Sequence, residues 1–220
     1  MAILRALNPA PRRAAATVDQ ILAAAEREFA ERGFSGTRLQ DIADAVGIQK
    51  PSLFYHFANK DELYKAVVLA VLEPFESLVS SIVSAEGEPI ERRLIRLIEG
   101  IIEVLAEHRH RATFMLRALM AEPEVGESDD LTGHIVGLLA GLTRFLKAGM
   151  RAGVIRMMSA ANLLQSIIGL TIYHFASDEF GTLLTGKSLF LPASVKRRQQ
   201  EVVDLLLRGV LIEYPKVREV

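Results

Sequence analysis

The sequence lacks cysteine altogether among its 220 residues. This absence excludes disulfides, thiolate metal sites and cysteine nucleophiles, and it is compatible with a reducing compartment. No apolar run approaches the ~18 residues that a membrane-spanning helix needs. The apolar stretch at the N-terminus is short and is interrupted by Arg5, unlike a secretory signal. We expect a soluble, cytoplasmic protein with no membrane partner.

A strong charge of either sign is also missing, because 26 basic residues are balanced by 27 acidic ones. The composition itself therefore does not point to nucleic acid, and any DNA-binding surface must concentrate positive charge locally. The chain has no HExxH motif, no paired Glu-x-x-His and no glycine-rich phosphate loop. These absences argue against a helical enzyme. We expect no catalytic residue, no cofactor and no metal site.

Apolar residues make up 50% of the chain, and many of them stand at helical spacing. Ile21, Ala25 and Phe29 recur every four residues, which predicts an amphipathic helix. Thr17 is the expected N-cap of this helix, and Gly33 is the glycine expected to end it.

Residues 1–16 precede this helix and lack its pattern. Pro9 and Pro11 disfavour helix there, and the charged residues are arginines. We expect a flexible basic arm. Its Arg12 and Arg13 are either disordered surface residues or contacts to a DNA minor groove, and the sequence leaves both interpretations open.

Two short helices are predicted next, the first capped by Thr37 and the second running from Lys50 to His56. Ala43 is small where the helices approach, Gly47 stands where the turn needs a positive φ, and Leu53 points back to the core. This is the spacing of a helix-turn-helix motif. An ordinary αα-hairpin has the same pattern, so DNA binding and a structural hairpin both remain open on this observation alone.

The remaining chain predicts only helices. Asn59 is the expected cap of a fourth helix, which Pro74 kinks or ends. Polar breaks then separate further helices near 89–108, 110–121, 129–152, 160–178 and 195–213. The expected fold is all-α, with an N-terminal three-helix bundle joined by the fourth helix to a larger C-terminal bundle.

The segment from Thr17 to Val67 resembles the DNA-binding region of the TetR family of regulators. The resemblance runs in register and without gaps over about fifty residues. Its pieces are Ile21-Leu22-Ala23-Ala24-Ala25, Phe29-Ala30-Glu31-Arg32-Gly33-Phe34, Asp41-Ile42-Ala43, Gly47-Ile48, Leu53-Phe54-Tyr55-His56-Phe57 and Asn59-Lys60-Asp61-Glu62-Leu63. One departure is Phe54, where the family commonly has a tyrosine that can hydrogen-bond a phosphate. The implied domains are an arm over 1–16, a DNA-binding domain over 17–66 and a ligand-binding and dimerisation domain over 67–220.

The resemblance also implies contacts to DNA. Lys50, Pro51 and Ser52 match positions that meet bases, where lysine suits the guanine edge and proline can touch a thymine methyl. Polar side chains that can reach a base or a phosphate are Gln40 and Gln49. The positions that match phosphate contacts are Thr37, Tyr55, His56 and Lys60.

Each phosphate contact has a structural alternative. Thr37 can be a helix cap only, and Lys60 can be a solvated charge. Tyr55 and His56 can cover the small core instead of facing DNA.

The family uses its C-terminal bundle to bind an effector and to form a homodimer, so we expect both here. Apolar faces on the last two predicted helices, with Gly169 and Gly209, are the dimer candidates, although the same faces can pack within their own bundle. We expect an apolar or amphipathic small molecule among the helices of 63–178. The candidate ligand-binding residues are Phe114, Met115, Arg117, Phe145, Tyr173 and His174.

The predicted function is that of a sequence-specific transcriptional regulator, a repressor released from a pseudo-palindromic operator by a small-molecule effector. The sequence leaves two alternatives open. One is an activator of the same fold, and the other is a helical small-molecule-binding protein that does not repress.

Overall fold

The computed structural model describes residues 10–120 and 129–213, and their side chains except those of 10–17, 129 and 130. Within these ranges the protein is all-α, as predicted. Its helices are α1 Ala10–Gly36, α2 Leu39–Val46, α3 Lys50–His56, α4 Lys60–Ser84, α5 Ile90–Glu107, α6 Arg111–Leu119, α7 Asp129–Arg151, α8 Ala160–Ala176, α9 Asp178–Thr185 and α10 Pro192–Val210. The only β-type pairing in the described part of the chain is an isolated bridge between Ile155 and Leu211.

Helix α1 begins at Ala10, seven residues earlier than the predicted cap at Thr17. Pro11 does not prevent this, because a proline in the first helical turn removes an N–H that has no helical partner there. The prediction of a flexible arm is therefore wrong for the backbone from Ala10 onward. Residues 1–9 and the side chains of Arg12 and Arg13 lie outside the described part of the structure. At the other end the helical path is broken at Gly33, whose φ of 71° confirms the predicted glycine stop.

The first core joins α1, α2, α3 and the N-terminal half of α4. Ile21 and Phe29 of α1 meet Ile42 of α2, Leu53 of α3 and Leu63 of α4, all of which are buried. Each of these side chains contributes roughly 1.5–3 kcal/mol by leaving water. This small cluster fixes the angle between α2 and α3.

The turn between α2 and α3 follows the predicted chemistry. Gly47 has φ 76° and ψ 29°, which is the left-handed conformation that glycine adopts without steric cost. Ile48 N–H then donates to Ala43 O at 3.0 Å and closes the end of α2. Ala43 itself is buried against α1, where a larger side chain would push the helices apart.

Helix α4 connects the two halves of the molecule. Its start is capped as predicted, because the Asn59 side chain accepts a hydrogen bond from Glu62 N–H at 2.8 Å. Pro74 lies inside the helix and does not end it. By length and composition alone α4 could cross a membrane, but nine of its residues are buried among the other helices. Its apolar character is that of a core helix.

The second core is built by α5, α7, α8 and α10 around the C-terminal half of α4. The predicted helix bounds of this region agree with the observed ones within three residues. Helix α9 was missed, since the sequence reasoning treated part of it as a break. Most residues of the two faces predicted for dimer contact are buried in the chain's own core: Leu163, Leu164, Ile167, Thr171, Phe175, Val202, Leu206, Val210 and Leu211.

A Gly47→Ala substitution should lower the free energy of unfolding by about 1–2 kcal/mol, because alanine in the left-handed conformation brings its Cβ close to the following carbonyl. A Cβ at Gly47 would meet no other atom within 4 Å, so the cost is confined to the backbone. Gly87→Ala is the matched control, since a Cβ there is equally free and its φ is not positive. Urea unfolding measures both. Equal stability of the two variants would contradict the role assigned to Gly47.

Candidate nucleic-acid interface and ligand cavity

Helix α3 holds its polar side chains in solvent while Leu53 anchors it to the core. Tyr55 is 87% exposed, so the alternative that it covers the core is wrong. The half-buried His56 ring meets the Tyr55 ring edge-on with 5.4 Å between centroids. Its exposure leaves the Tyr55 hydroxyl free to reach an external acceptor, and the His56 ring restrains one side of the Tyr55 ring.

The start of α3 exposes a continuous run of the predicted DNA-contact residues: Gln49, Lys50, Pro51 and Ser52. Lys50 Nζ lies 5.7 Å from the centroid of the Phe54 ring, which restrains the lysine along its own helix. Phe54 is itself half-exposed, which gives the cation an apolar support. On α2, Gln40 Nε2 donates to Asp44 Oδ1 at 2.8 Å, which holds the amide in place and leaves its second N–H and its oxygen for other partners. Contacts of these residues with DNA stay predictions.

Two of the predicted phosphate contacts point into the protein. Thr37 is 2% exposed, and its hydroxyl donates to Gly33 O at 2.7 Å and Glu28 O at 3.0 Å. It is not the N-cap of α2 either, because Arg38 occupies that position. Lys60 Nζ donates to Phe34 O at 2.8 Å and to Thr37 O at 3.2 Å. Thr37 thus satisfies carbonyls near the end of α1, and Lys60 satisfies one there and one in the connection to α2, where helical N–H groups are lacking.

Arg38 is a cation that the sequence reasoning missed. It is exposed at the N-terminal end of α2, and no side-chain partner for it exists within the described residues. A positive charge at the positive end of a helix dipole is unfavourable unless an anion lies nearby. This cation at the start of a predicted helix was the feature of the sequence that could have identified Arg38.

Helix α6 carries the main contact between the two halves of the molecule, and it lies against α1. Arg117 Nε donates to Ala30 O at 2.8 Å, and its Nη2 donates to Glu31 O at 3.3 Å. Nearby, the buried Arg111 and Glu26 side chains pair at 4.0 Å between Nε and Oε1. Burial raises the pKa of Glu26, and the Arg111 guanidinium opposes that shift.

An apolar cavity of about 120 Å³ lies beside this contact, enclosed by α4, α5, α6, α7 and α8. Phe114 and Met115 line it, so these two predicted ligand residues stand at a cavity wall. Thr171 is the one polar side chain in the lining, and its hydroxyl already donates to Ile167 O at 2.8 Å. The walls therefore offer a ligand hydrophobic contact and almost no hydrogen bonding.

Phe114 belongs to two environments at once. It lines the cavity, and it is also buried in the first core, where its ring lies 5.4 Å from that of Tyr64 on α4. A side chain that fills the cavity wall and the DNA-binding core transmits displacement from one to the other, because close-packed interiors do not absorb volume changes locally.

The other four predicted ligand residues do not line this cavity. Arg117 is bound to the end of α1, and Phe145 is buried beneath the Arg93 guanidinium, 5.0 Å from its ring centroid. Tyr173 is 57% exposed on the outer side of α8. His174 lines a separate polar cavity near α10. These placements separate the four residues from the apolar cavity, and their contact with a ligand stays a prediction.

A wider groove of about 540 Å³ runs between α4 and α7 next to the cavity, and the two share Val79 and Leu138. Gly133, Gly137 and Gly141 form its floor on α7. Its polar side chains are Glu76, Ser80, His134 and Arg144. His134 Nδ1 lies 2.8 Å from Glu76 Oε1 across the groove.

Comparison with protein families matches both halves of the chain. Residues 21–67 match the model described as bacterial regulatory proteins of the tetR family. Residues 91–206, more than half of the chain, match the tetracyclin repressor-like C-terminal domain. The chain belongs to the TetR family of DNA-binding transcriptional regulators. As family members, such proteins are regulators and not enzymes, and their C-terminal domain binds effectors.

Two curated relatives of this TetR-family chain illustrate the range of similarity. The repressor KstR2 of Mycobacterium tuberculosis is 36% identical over 91 residues, which cover 41% of this chain and 44% of the relative. The match thus spans less than half of that protein. RutR of Escherichia coli is 24% identical over 193 residues, covering 86% of this chain and 88% of RutR.

Solved structures show the same fold at low identity. The ketosteroid regulator KstR2 of Mycobacterium tuberculosis superposes with a TM-score of 0.71 and 21% identity, over 89% of this chain and 95% of that one. AibR, solved in complex with isovaleryl coenzyme A and operator DNA, gives a TM-score of 0.68 and 19% identity over 86% and 97% of the two chains.

Replacing Lys60 by Met should lower the free energy of unfolding by about 1.5–3 kcal/mol, because the carbonyls of Phe34 and Thr37 lose a charged donor. Lys65→Met on the same helix is the control and should change stability by less than about 0.5 kcal/mol. Chemical denaturation followed by circular dichroism measures both. If Lys60→Met leaves stability unchanged and only weakens DNA binding, the lysine is a phosphate contact and not a cap of α1.

Proposed function

We propose that this regulator is a cytoplasmic, homodimeric repressor that leaves a pseudo-palindromic operator when an amphipathic effector enters the apolar cavity. The observation that carries the proposal is the double position of Phe114, in the cavity wall and in the DNA-binding core. A ligand that displaces this side chain acts directly on the helices that support α3.

On the DNA side, α3 enters the major groove and presents its exposed N-terminal residues to base edges. Lys50 suits the guanine edge and the Pro51 ring a thymine methyl, with Gln49, Ser52 and Gln40 nearby. Tyr55, His56 and the exposed Arg38 meet phosphates. The phosphate contacts are few, in keeping with the near-neutral charge of the chain.

On the ligand side, the cavity accommodates a short apolar group. Its volume of about 120 Å³ is comparable to the ~150 Å³ of an engineered cavity that binds benzene. The polar end of the molecule lies in the adjoining groove, where the Arg144 guanidinium supplies hydrogen-bond donors. The isovaleryl coenzyme A bound to AibR has this two-part character. We therefore expect an acyl thioester or a similar amphiphile.

The signal passes through α6. Filling the cavity moves Phe114 and Met115, and α6 carries α1 with it through Arg117 and the Arg111–Glu26 pair. Helix α4 swings at the same time, with Pro74 as the point where its hydrogen bonding is interrupted. The ligand favours this conformation only to the extent that it binds it more tightly than the DNA-bound one.

The dimer forms through the outer faces of α8 and α10. These faces retain exposed apolar residues after the chain has folded, among them Tyr173 and Leu205. Gly169 and Gly209 stand beside them with open space where a side chain would project, which permits close helix approach. Two copies place the α3 helices about 34–36 Å apart, one turn of B-DNA.

Lys50→Ala combined with Tyr55→Ala should weaken binding to DNA from around the protein's own gene by at least about 30-fold, because each lost contact is worth about 1–3 kcal/mol. Fluorescence anisotropy with a scrambled fragment as competitor measures the loss. Light scattering should show an unchanged dimer.

Lys147→Ala is the charge-matched control on the exposed surface of α7, and it should bind DNA as the native protein does. Absence of sequence-dependent binding by the native protein to any such fragment would contradict repression. Loss of ligand binding in the double variant would contradict the division of labour between the two halves.

Leu139→Trp should lower DNA affinity in the absence of effector and abolish any further release of DNA by acyl coenzyme A thioesters, because indole fills the cavity that Leu139 lines, as the effector does. Leu183→Trp is the control, since Leu183 is 79% exposed on α9. Isovaleryl and dodecanoyl coenzyme A, titrated into the protein–DNA complex, report the release. A Leu139→Trp protein that still releases DNA would place the effector elsewhere.

A further inference from the structure

A second cavity, of about 280 Å³, lies where the end of α8, the end of α9 and the start of α10 meet. Unlike the effector cavity it is polar, and the two share no lining residue. His174 comes from α8, and Ser194 and Arg198 come from α10. Thr185 is the last residue of α9, and Lys187 lies two residues further along the chain. The regulation proposed through the apolar cavity does not involve this polar cavity.

The side chains around this cavity carry an excess of positive charge. Three cations, Lys187, Arg197 and Arg198, line it together with a single carboxylate, Glu201. Arg197 Nε already donates to Glu201 Oε1 at 2.8 Å. Within the described residues, no carboxylate lies at ion-pair distance from Lys187 or Arg198. The charged side chains of the lining therefore carry a net charge of about +2, which would balance a doubly charged anion.

Two nitrogens in the cavity walls are buried without a hydrogen-bond partner, Arg198 Nε and His174 Nε2. Arg198 is held in place from behind, because its Nη2 donates to Leu170 O at 2.7 Å. Burial, with a smaller contribution from Arg198, lowers the pKa of His174 to about 4, so the imidazole is neutral near pH 7 and can donate one hydrogen bond. Unpaired buried donors are unfavourable, and an oxyanion in the cavity supplies the missing acceptors.

The start of α10 adds further donors. Ser194 belongs to its first turn and lines the cavity, and backbone N–H groups of a first turn have no helical acceptor. The positive end of the helix dipole favours negative charge at the same place. Hydroxyl, guanidinium, ammonium and helix terminus together form the donor set that binds phosphates in proteins.

We propose that this polar cavity binds the phosphoryl group of a small anionic metabolite or inorganic phosphate, independently of the effector cavity. Such an anion joins α8, α9 and α10 at one end of the bundle. Because it binds the folded chain, it also stabilises this end by mass action.

The proposal is tested on the full-length protein with inorganic phosphate, pyrophosphate and acetate, at constant ionic strength and pH. Calorimetric titration gives the affinity, and proton–nitrogen NMR of the five histidines identifies the site. We expect saturable binding of phosphate and pyrophosphate, no saturable binding of acetate, and a shift of the His174 imidazole signal.

Arg198→Gln and Lys187→Gln should each weaken phosphate binding by about tenfold or more, because each removes a charged donor. Lys187 is exposed, so its variant keeps the fold even if Arg198→Gln does not. Arg208→Gln is the control, since Arg208 of α10 pairs with Asp204 outside the cavity. Absence of saturable phosphate binding, equal binding by acetate, or equal affinity in the Lys187 variant and the control would overturn the proposal. Binding that displaces DNA but survives Lys187→Gln would assign phosphate to α3 instead.

Discussion

The attachment of α6 to the end of α1 is the constraint on which the rest of the structure depends. A helix ends in carbonyl groups that have no N–H partner in the helix. Here they are satisfied from three directions, by the Arg117 guanidinium, the Lys60 ammonium and the Thr37 hydroxyl. The first of these donors belongs to the effector-binding half, so the DNA-binding bundle is closed partly by a residue of the other half.

In the proposed mechanism, this arrangement lets a small cavity act on a distant surface. The apolar wall side chain Phe114 precedes Arg117 by one helical turn, so both lie on the same side of α6. Displacement of one therefore moves the other. Glu26 and Arg111 add an electrostatic attraction between α1 and α6, at 4.0 Å and without a hydrogen bond between the two atoms.

Local rules predicted the parts of the fold that local chemistry decides. Gly47 and Asn59 behave as the sequence indicates, because a left-handed turn and a helix cap involve neighbours within a few residues. Thr37 and Lys60 were assigned to phosphate because the family match supplies positions and not partners. The carbonyl acceptors of Thr37 depend on the break of α1 at Gly33, and those of Lys60 depend on how α4 meets α1, over separations of up to 26 residues.

Of the six predicted ligand residues, only two line the apolar cavity, for a related reason. Phe114 and Met115 lie on a short helix that has a single apolar face. Helix α8 has apolar residues on several sides, so its sequence pattern does not distinguish the buried Phe175 from the exposed Tyr173. Helix α9 was missed although Asp178 and Glu179 favour its start and Gly186 ends it in the left-handed conformation.

The most direct test of the coupling is the DNA affinity of the native protein and of Arg117→Met, each measured with and without a saturating acyl coenzyme A that binds the native protein. Native DNA affinity should fall by a factor in the range of about 5–150 when the ligand is present, which is typical of allosteric coupling. In Arg117→Met the ligand should still bind, and the factor should approach one. An undiminished factor in that variant would contradict transmission through the α1–α6 contact.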